Sequence, residues 1–242
     1  MNQILKVLFV LSFVLLPVSC WQQDRFVSDL KLSTELEREP LQLAVSEAAF
    51  NVDQGGVAYT VTPEYQYDLY GLVVSYQLHD GNRMLHRLWN DHLNVADVCV
   101  VWGSNATGLD LNRFEFWNGQ FTCFFRTDDR EAWQSFDQSG ISNNHLITED
   151  PNLRAVIEEL RVGDQIHLTG YLASYANGDG FFRGTSVVRG DTGNGACETI
   201  YVKTFQILNR MQSIWRWLFS GSLWSLLGSL LMWVIGVGKG WF

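Results

Sequence analysis

The sequence predicts a mainly β domain: a small closed or partly closed barrel of OB-like type with one or two short helices, or alternatively a β-sandwich. Three observations lead there. Eight short runs rich in β-branched and aromatic residues follow one another with turn residues between them. Only two stretches have helical periodicity, and the strongest apolar segments lie outside the β-rich region, at both ends of the chain.

The strand-like runs are 57–63 (VAYTVTP), 67–77, 97–103 (DVCVVWG), 113–119, 121–126 (FTCFFR), 164–175, 180–188 and 198–208. Trp117-Asn118-Gly119-Gln120 and Asn177-Gly178-Asp179-Gly180 read as hairpin turns, because Asn-Gly pairs tolerate the left-handed backbone that tight turns need. One helical pattern, 81–93, places Met84, Leu85, Leu88 and Trp89 on one side. The other, 150–164, does the same with Leu153, Val156, Ile157 and Leu160; Asp150 is placed to cap it, Pro151 takes its first position and Gly163 ends it.

The chain has 242 residues, 47% hydrophobic and 18% charged. That charge content is below the level of ordinary soluble domains, so apolar surface must exist outside the core. It is found in Ile4–Val18 and Trp217–Val237. The expected organisation is therefore a signal peptide or signal anchor (1–20), a polar linker (21–47), a β-rich extracytoplasmic domain (48–210) and a transmembrane helix (215–238). The first segment has Lys6, then an apolar run, then Pro17 as a helix breaker and Cys20 at a cleavage position, with a lipid-modified Cys20 as the alternative. Trp217–Val237 at about 1.5 Å per residue spans about 30 Å, the thickness of a hydrocarbon layer. Trp215, Trp217 and Trp241 flank it as interfacial anchors.

Along that helix Trp217, Gly221, Trp224 and Gly228 recur on one face, a pattern that lets a second helix approach and offers a route to a homo-oligomer. Arg210 and Arg216 before the helix, against Lys239 after it, run mildly counter to an outside domain. The N-terminal signal outweighs them, so the main domain is expected outside the cytoplasm.

The net charge of −9, with no basic run, argues against nucleic acid as a partner. His79, His86 and His92 share no helical face, and the chain has neither Cys-x-x-Cys nor His-x-x-x-His, so neither a metal nor a cofactor is expected. Cys99 and Cys123 each sit in a short strand-like run. A bridge between them would close a loop of about 25 residues and contribute about 3 kcal/mol; two separate buried thiols are the alternative. Cys197 is left over. Asn105 begins a glycosylation sequon that matters only in a eukaryotic host. Trp89, Trp102, Trp117 and Trp133 have the flat surfaces that stack on sugars or bases, although core packing is the commoner role.

The densest collection of chemistry is RGDTGNGACET, 189–199. It has two readings. The thiol of Cys197, the imidazole of His145 and the carboxylate of Asp191 or Glu198 are the groups a nucleophilic enzyme needs, which would make a thiol-dependent hydrolase or transferase. In the structural reading the glycines close a tight turn, and Asp191 and Thr192 satisfy its amides. Arg189 then pairs with Asp191 or Glu198, and Asn144 with His145, just before the second helix, completes a polar plug at one barrel end.

SNNHLI (142–147), GDQIHLTGYL (163–172) and RGDTGNGACETIYV (189–202) occur in the order seen in a family of uncharacterised, membrane-tethered bacterial envelope proteins, which the chain resembles over about the last third of its soluble domain. The resemblance implies a protein of the bacterial inner membrane, its main domain facing the periplasm as an envelope domain without a defined activity. The residues thus point first to a noncatalytic, membrane-anchored domain that binds a protein partner or an envelope polymer. The thiol enzyme, and a membrane-complex subunit acting through its Trp-rich helix, are the alternatives.

Overall fold

In a computed structural model, which describes residues 3–191 and 196–239, the chain divides into two compact units, Met1–Leu30 with Met211–Phe242 and Lys31–Arg210. In chain order the elements are α1 (Gln3–Gln22), β1 (Leu41–Ala44), β2 (Phe50–Gln54), β3 (Val57–Leu78), α2 (Met84–Leu88), β4 (Asn94–Val101), α3 (Ser104–Thr107), β5 (Glu115–Gly119), β6 (Thr122–Arg126), α4 (Arg130–Ser135), β7 (Ile141–Ile147), α5 (Pro151–Glu158), β8 (Gln165–Asn177), β9 (Phe182–Arg183), β10 (Glu198–Asn209) and α6 (Ile214–Gly238).

The larger unit is a closed barrel. Strand β3 pairs antiparallel with β4, β4 with β7, β7 runs parallel to β10, β10 is antiparallel to β8, and β8 returns to β3. Five strands in this order, with a helix between the third and fourth, form the OB-type barrel that the turn spacing predicts. Ring closure requires β3 to be hydrogen-bonded along both edges, and its 22 residues allow this. The two runs expected at 57–63 and 67–77 are this single strand, and the register shift between Pro63 and Tyr65 is where the chain bends. Proline has no N–H to give the ladder, so it belongs at such an irregularity.

The lumen is filled by Leu69, Val98, Val100, Leu146, Ile166, Leu168, Ile200 and Val202, all at most 2% exposed. Helix α5 is capped as predicted: the Asp150 carboxylate accepts from the Asn152 amide, and Pro151 follows at the first position. It closes one barrel end by burying Ile157, with Leu153 and Val156 packed against the same core.

Several elements differ from the sequence expectation. Segment 141–147 is a central barrel strand, whereas Asn144 and His145 were expected in the approach to a helix. Its four consecutive polar residues, Ser142 to His145, hid a strand whose two faces are both covered. The 81–93 pattern yields only the five-residue α2, and 180–188 yields only the two-residue β9. Residues 31–44, expected as part of a tether, pack on the barrel. Leu36 is fully buried, its carbonyl accepts from the Gly103 amide at 2.7 Å, and the Gln165 side chain bonds Lys31 O and Ser33 N at 2.7 and 2.8 Å. Asn105 is fully buried and its amide donates to Asp137 O at 2.6 Å, so the sequon takes no glycan in the folded chain.

The smaller unit is a pair of helices, each long and apolar enough to cross a membrane. Helix α1 continues through Pro17, expected as its breaker, to Gln22; apolar helices with packed neighbours tolerate an internal proline. The seam between them lies on a different face of α6 from the indole and glycine stripe. Trp217 and Trp224 are both 72% exposed, and nothing lies within 4 Å of a Cβ built on Gly221 or Gly228. The buried positions are Ser12 and Ser19 of α1 and Ser222, Ser229 and Gly236 of α6, all spaced by seven. The hydroxyls of Ser19, Ser222 and Ser229 bond to carbonyls of their own helices, so these residues act through small size, which lets the backbones approach. The indole and glycine face points away from α1.

One backbone approach inside the barrel requires glycine. A Cβ on Gly170 would collide with the carbonyl of Tyr201 on β10, whereas one on Gly178 would meet nothing within 4 Å. Gly170→Ala is expected to destabilise the domain by about 1–3 kcal/mol, and Gly178→Ala to leave it nearly unchanged. Thermal unfolding by circular dichroism compares the two.

Candidate functional site

Side chains alternate along a strand, and directly paired residues share a face. On β4 and β7 the pairs Asp97–His145 and Cys99–Asn143 therefore stand on the outer face, while Val98 and Asn144 point into the lumen. Asp97 is fully buried. Its Oδ1 lies 2.5 Å from His145 Nδ1 and 3.0 Å from His79 Nε2, and accepts from Asn94 Nδ2 at 3.2 Å. Burial alone would raise this carboxyl, but the two imidazoles outweigh it and hold Asp97 well below the usual carboxylate range.

A second carboxylate stands beside it. Asp91 accepts from Tyr175 Oη at 2.9 Å, and its Oδ2 lies 3.2 Å from His86 Nδ1 and 3.9 Å from the Arg183 guanidinium. Burial again opposes the charge, and His86, Arg183 and Tyr175 together lower the carboxyl. The rings of His79 and His86 are 4.1 Å apart, and Phe121 lies 5.3–6.2 Å from the rings of His79, His86 and His145. The result is a buried chamber of three imidazoles and two carboxylates under one phenyl ring. Its bonding is incomplete: His79 Nε2, both nitrogens of His86, Asp91 Oδ2 and Asp97 Oδ2 are buried without an aligned hydrogen-bond partner, although the Asp–His distances are within ion-pair reach. Among the described residues no three His, Cys, Asp or Glu side chains are grouped so as to hold a metal ion.

Over the chamber lies a cleft of about 680 Å³. Its walls are the β3–β4 loop, the tip of the β5–β6 hairpin and the segment after β8, and Cys197 forms part of its lining. Trp89 stacks on Phe121 and Phe181 with centroids 5.4 and 5.9 Å apart, and the Arg183 guanidinium sits 4.3 Å over Phe121. Asn90 Nδ2 donates to Asp179 Oδ2 at 2.7 Å, and Phe182 and Leu88 stand exposed at the rim. Among the described residues three non-glycines have left-handed φ, and all belong to these elements: Met84 at 48°, Asn90 at 49° and Phe121 at 57°. Such backbone costs on the order of 1 kcal/mol or more per residue and concentrates at functional sites. At the hairpin Gly119 was expected in the turn, but it pairs with Thr122 inside the ladder and Phe121 takes the positive φ instead.

Cys99 and Cys123 are joined, with Cα atoms 5.8 Å apart, so the disulfide ties the hairpin to β4. The predicted catalytic set is not assembled. Cys197 Sγ accepts from Asn143 Nδ2 and donates to Phe121 O, both at 3.4 Å, and burial pushes its thiol up. His145 is engaged with Asp97, and Asp191 accepts from Ser186 Oγ at 2.6 Å. No hydrogen bond or ion pair joins Cys197 to His145 among the described residues.

The predicted plug divides in the same way. Glu198 and Asn144 are register partners facing the lumen, where Asn144 bonds Ser142 and Val98 O. Arg189 donates to Pro40 O at 3.0 Å and lies over Trp102. His145 points to the opposite face, and Thr192 lies outside the described residues. The sequence reading passed over Asp91, Asp97, His79 and His86 because it sought histidines on a common helix. The available signal was a carboxylate at position 97 flanked by apolar residues in a strand-like run, where an unpaired charge is very costly.

No family model matches the chain, and no curated protein or solved structure matches it.

Glu198 has a measurable signature. Burial raises its carboxyl to about 8, against an ordinary 4.5, with Arg189 only partly offsetting the effect. A raised folded-state value means that the fold favours the protonated form. The stabilisation is complete below about pH 4.5, declines as pH rises towards 8 and is absent above it. Glu198→Gln is therefore expected to flatten the fall in melting temperature between pH 5 and 8 and to be the more stable protein at pH 8.5, by a few kcal/mol at about 1.4 per pKa unit. Melting curves across that range test it.

Proposed function

We propose that the chain is a membrane-held barrel domain of the bacterial envelope, facing the periplasm, that binds its partner without covalent chemistry. The partner class is an envelope polymer with sugar rings, taken in the cleft over the imidazole chamber. The observation that carries this reading is that Asn90 and Phe121, two of the three non-glycines with left-handed backbone among the described residues, line one aromatic cleft, with the third, Met84, in the loop that supplies Asn90. Aromatic walls beside the Asn90–Asp179 pair and Arg183 suit a ligand that has flat apolar ring faces and hydroxyls at its edge. The loops concerned are the ones that OB-type barrels use for oligosaccharides, which is support by analogy of fold. The two apolar helices, the disulfide and the resemblance to envelope proteins support the location.

Calorimetric titration of the full chain in nanodiscs with soluble bacterial cell-wall glycan fragments tests the reading. Phe182→Ala, at an exposed rim position, is expected to weaken binding about tenfold, or about 1.4 kcal/mol, with an unchanged melting temperature. Equal affinity of the two proteins would overturn it. A second reading, a complex subunit acting through α6, is favoured by the exposed Trp217 and Trp224. Replacing both by Leu should then dissociate a crosslinked assembly in intact membranes while glycan binding persists.

A further inference from the structure

We propose that Cys197, Cys123 and Cys99 form a thiol–disulfide exchange centre that shifts the β5–β6 hairpin between two covalent anchors on the barrel. Two of the cysteines are aligned by the barrel sheet, and the third lies on the hairpin across them. Cys99 on β4 is the register partner of Asn143 on β7, and the Asn143 amide donates to Cys197 at the entry to β10. Cys99, Asn143 and Cys197 thus form one row on the outer face, with the hairpin lying across it. Cys123 of the hairpin and the free Cys197 line one cavity of about 190 Å³, together with Asn143 and Ser142. Cys197 therefore differs from an isolated buried thiol: it shares a cavity with a disulfide-bonded cysteine.

The hairpin is suited to such a shift because β5 and β6 form a two-stranded sheet of their own outside the barrel ring. Besides the disulfide, polar contacts to the barrel are few and weak: Ser75 Oγ on β3 lies 3.9 Å from Cys123 Sγ, and the rest go to Asn143, Asp97 O and Cys197. Asn118 Nδ2 donates to Asn143 Oδ1 at 3.2 Å and to Asp97 O at 3.4 Å, and Phe121 O accepts from Asn143 at 3.3 Å and from Cys197 at 3.4 Å.

The step balances within the molecule. The Cys197 thiol gives its proton to water, and its sulfur attacks Cys123 Sγ. The Cys123–Cys197 bond forms as the Cys99–Cys123 bond breaks, and the electron pair leaves on Cys99 Sγ, which takes up a proton. One disulfide and one thiol stand on each side, so no external oxidant or reductant is consumed. The anchor moves from β4 to the start of β10. Phe121, two residues from Cys123, moves with it, so the exchange uncovers the three imidazoles and changes the wall of the cleft.

The experiment uses the full chain in nanodiscs with Cys20→Ser, so that three cysteines remain. After incubation at pH 8.5, the sample is quenched with acid, alkylated with N-ethylmaleimide and mapped by peptide mass spectrometry. The expected result is two populations, one bridged 99–123 with Cys197 alkylated and one bridged 123–197 with Cys99 alkylated, the second vanishing in Cys197→Ser. Finding only the 99–123 bridge would overturn the proposal. Cys99→Ser gives an independent reading: a folded variant, as judged by its melting curve, is expected to form the 123–197 bridge with oxidised glutathione, and persistence of two free thiols in it would also overturn the proposal. If that variant does not fold, the mapping of the three-cysteine chain decides.

Discussion

Strand β3 carries hydrogen bonds along both of its edges, and this double pairing is the constraint on which the domain rests. A strand of ordinary length could have joined β4 or β8, leaving a sheet with two exposed edges and a tendency to pair with other chains. The 22 residues of β3 reach from β2 and β1 to β4 on one side while following β8 on the other. Closure gives the lumen a continuous apolar filling and turns the opposite face of β4 and β7 outwards. The segment between those two strands then folds back over that face, which is why a barrel exterior becomes a buried polar chamber.

Burying Asp91 and Asp97 there is costly unless each charge is answered. The answer comes from the β3–β4 loop, which supplies His79 and His86, and from β7, which supplies His145. Each element of the chamber is thus useful only with the others in place. Phe121 covers the imidazoles, and its left-handed backbone is held by a disulfide two residues away and by the Asn143 and Cys197 bonds to its carbonyl. Strain of this kind persists because the surroundings over-determine the position.

Much of the barrel was legible. Alternation and turn residues located β4, β8 and β10 to within a few residues, the capping of α5 was read directly from Asp150-Pro151, and two cysteines in strand-like runs offered the Cys99–Cys123 pairing as one of two readings. Strand β7 was not legible, because Ser142, Asn143, Asn144 and His145 look like a loop until their partners are known. Asn143 and His145 serve the chamber while Ser142 and Asn144 bond one another in the lumen. The face of α6 that meets α1 was not legible for a related reason: indoles and glycines alternate conspicuously, but the backbones of α1 and α6 approach closest where serines and Gly236 recur every seventh residue.

By itself the sequence determined whatever depends on near neighbours along the chain: strand and helix tendencies, turn chemistry, the two membrane-length apolar segments and the class of closed β architecture. Tertiary structure alone decided which polar groups meet. The meetings of Asp97 with His79 and His145, of Asp91 with Tyr175, and of Cys197 with Asn143 are set by strand register, and a shift of a single residue reverses the face every side chain occupies. Register is fixed by the summed packing of the whole barrel, so no local stretch of the chain contains it.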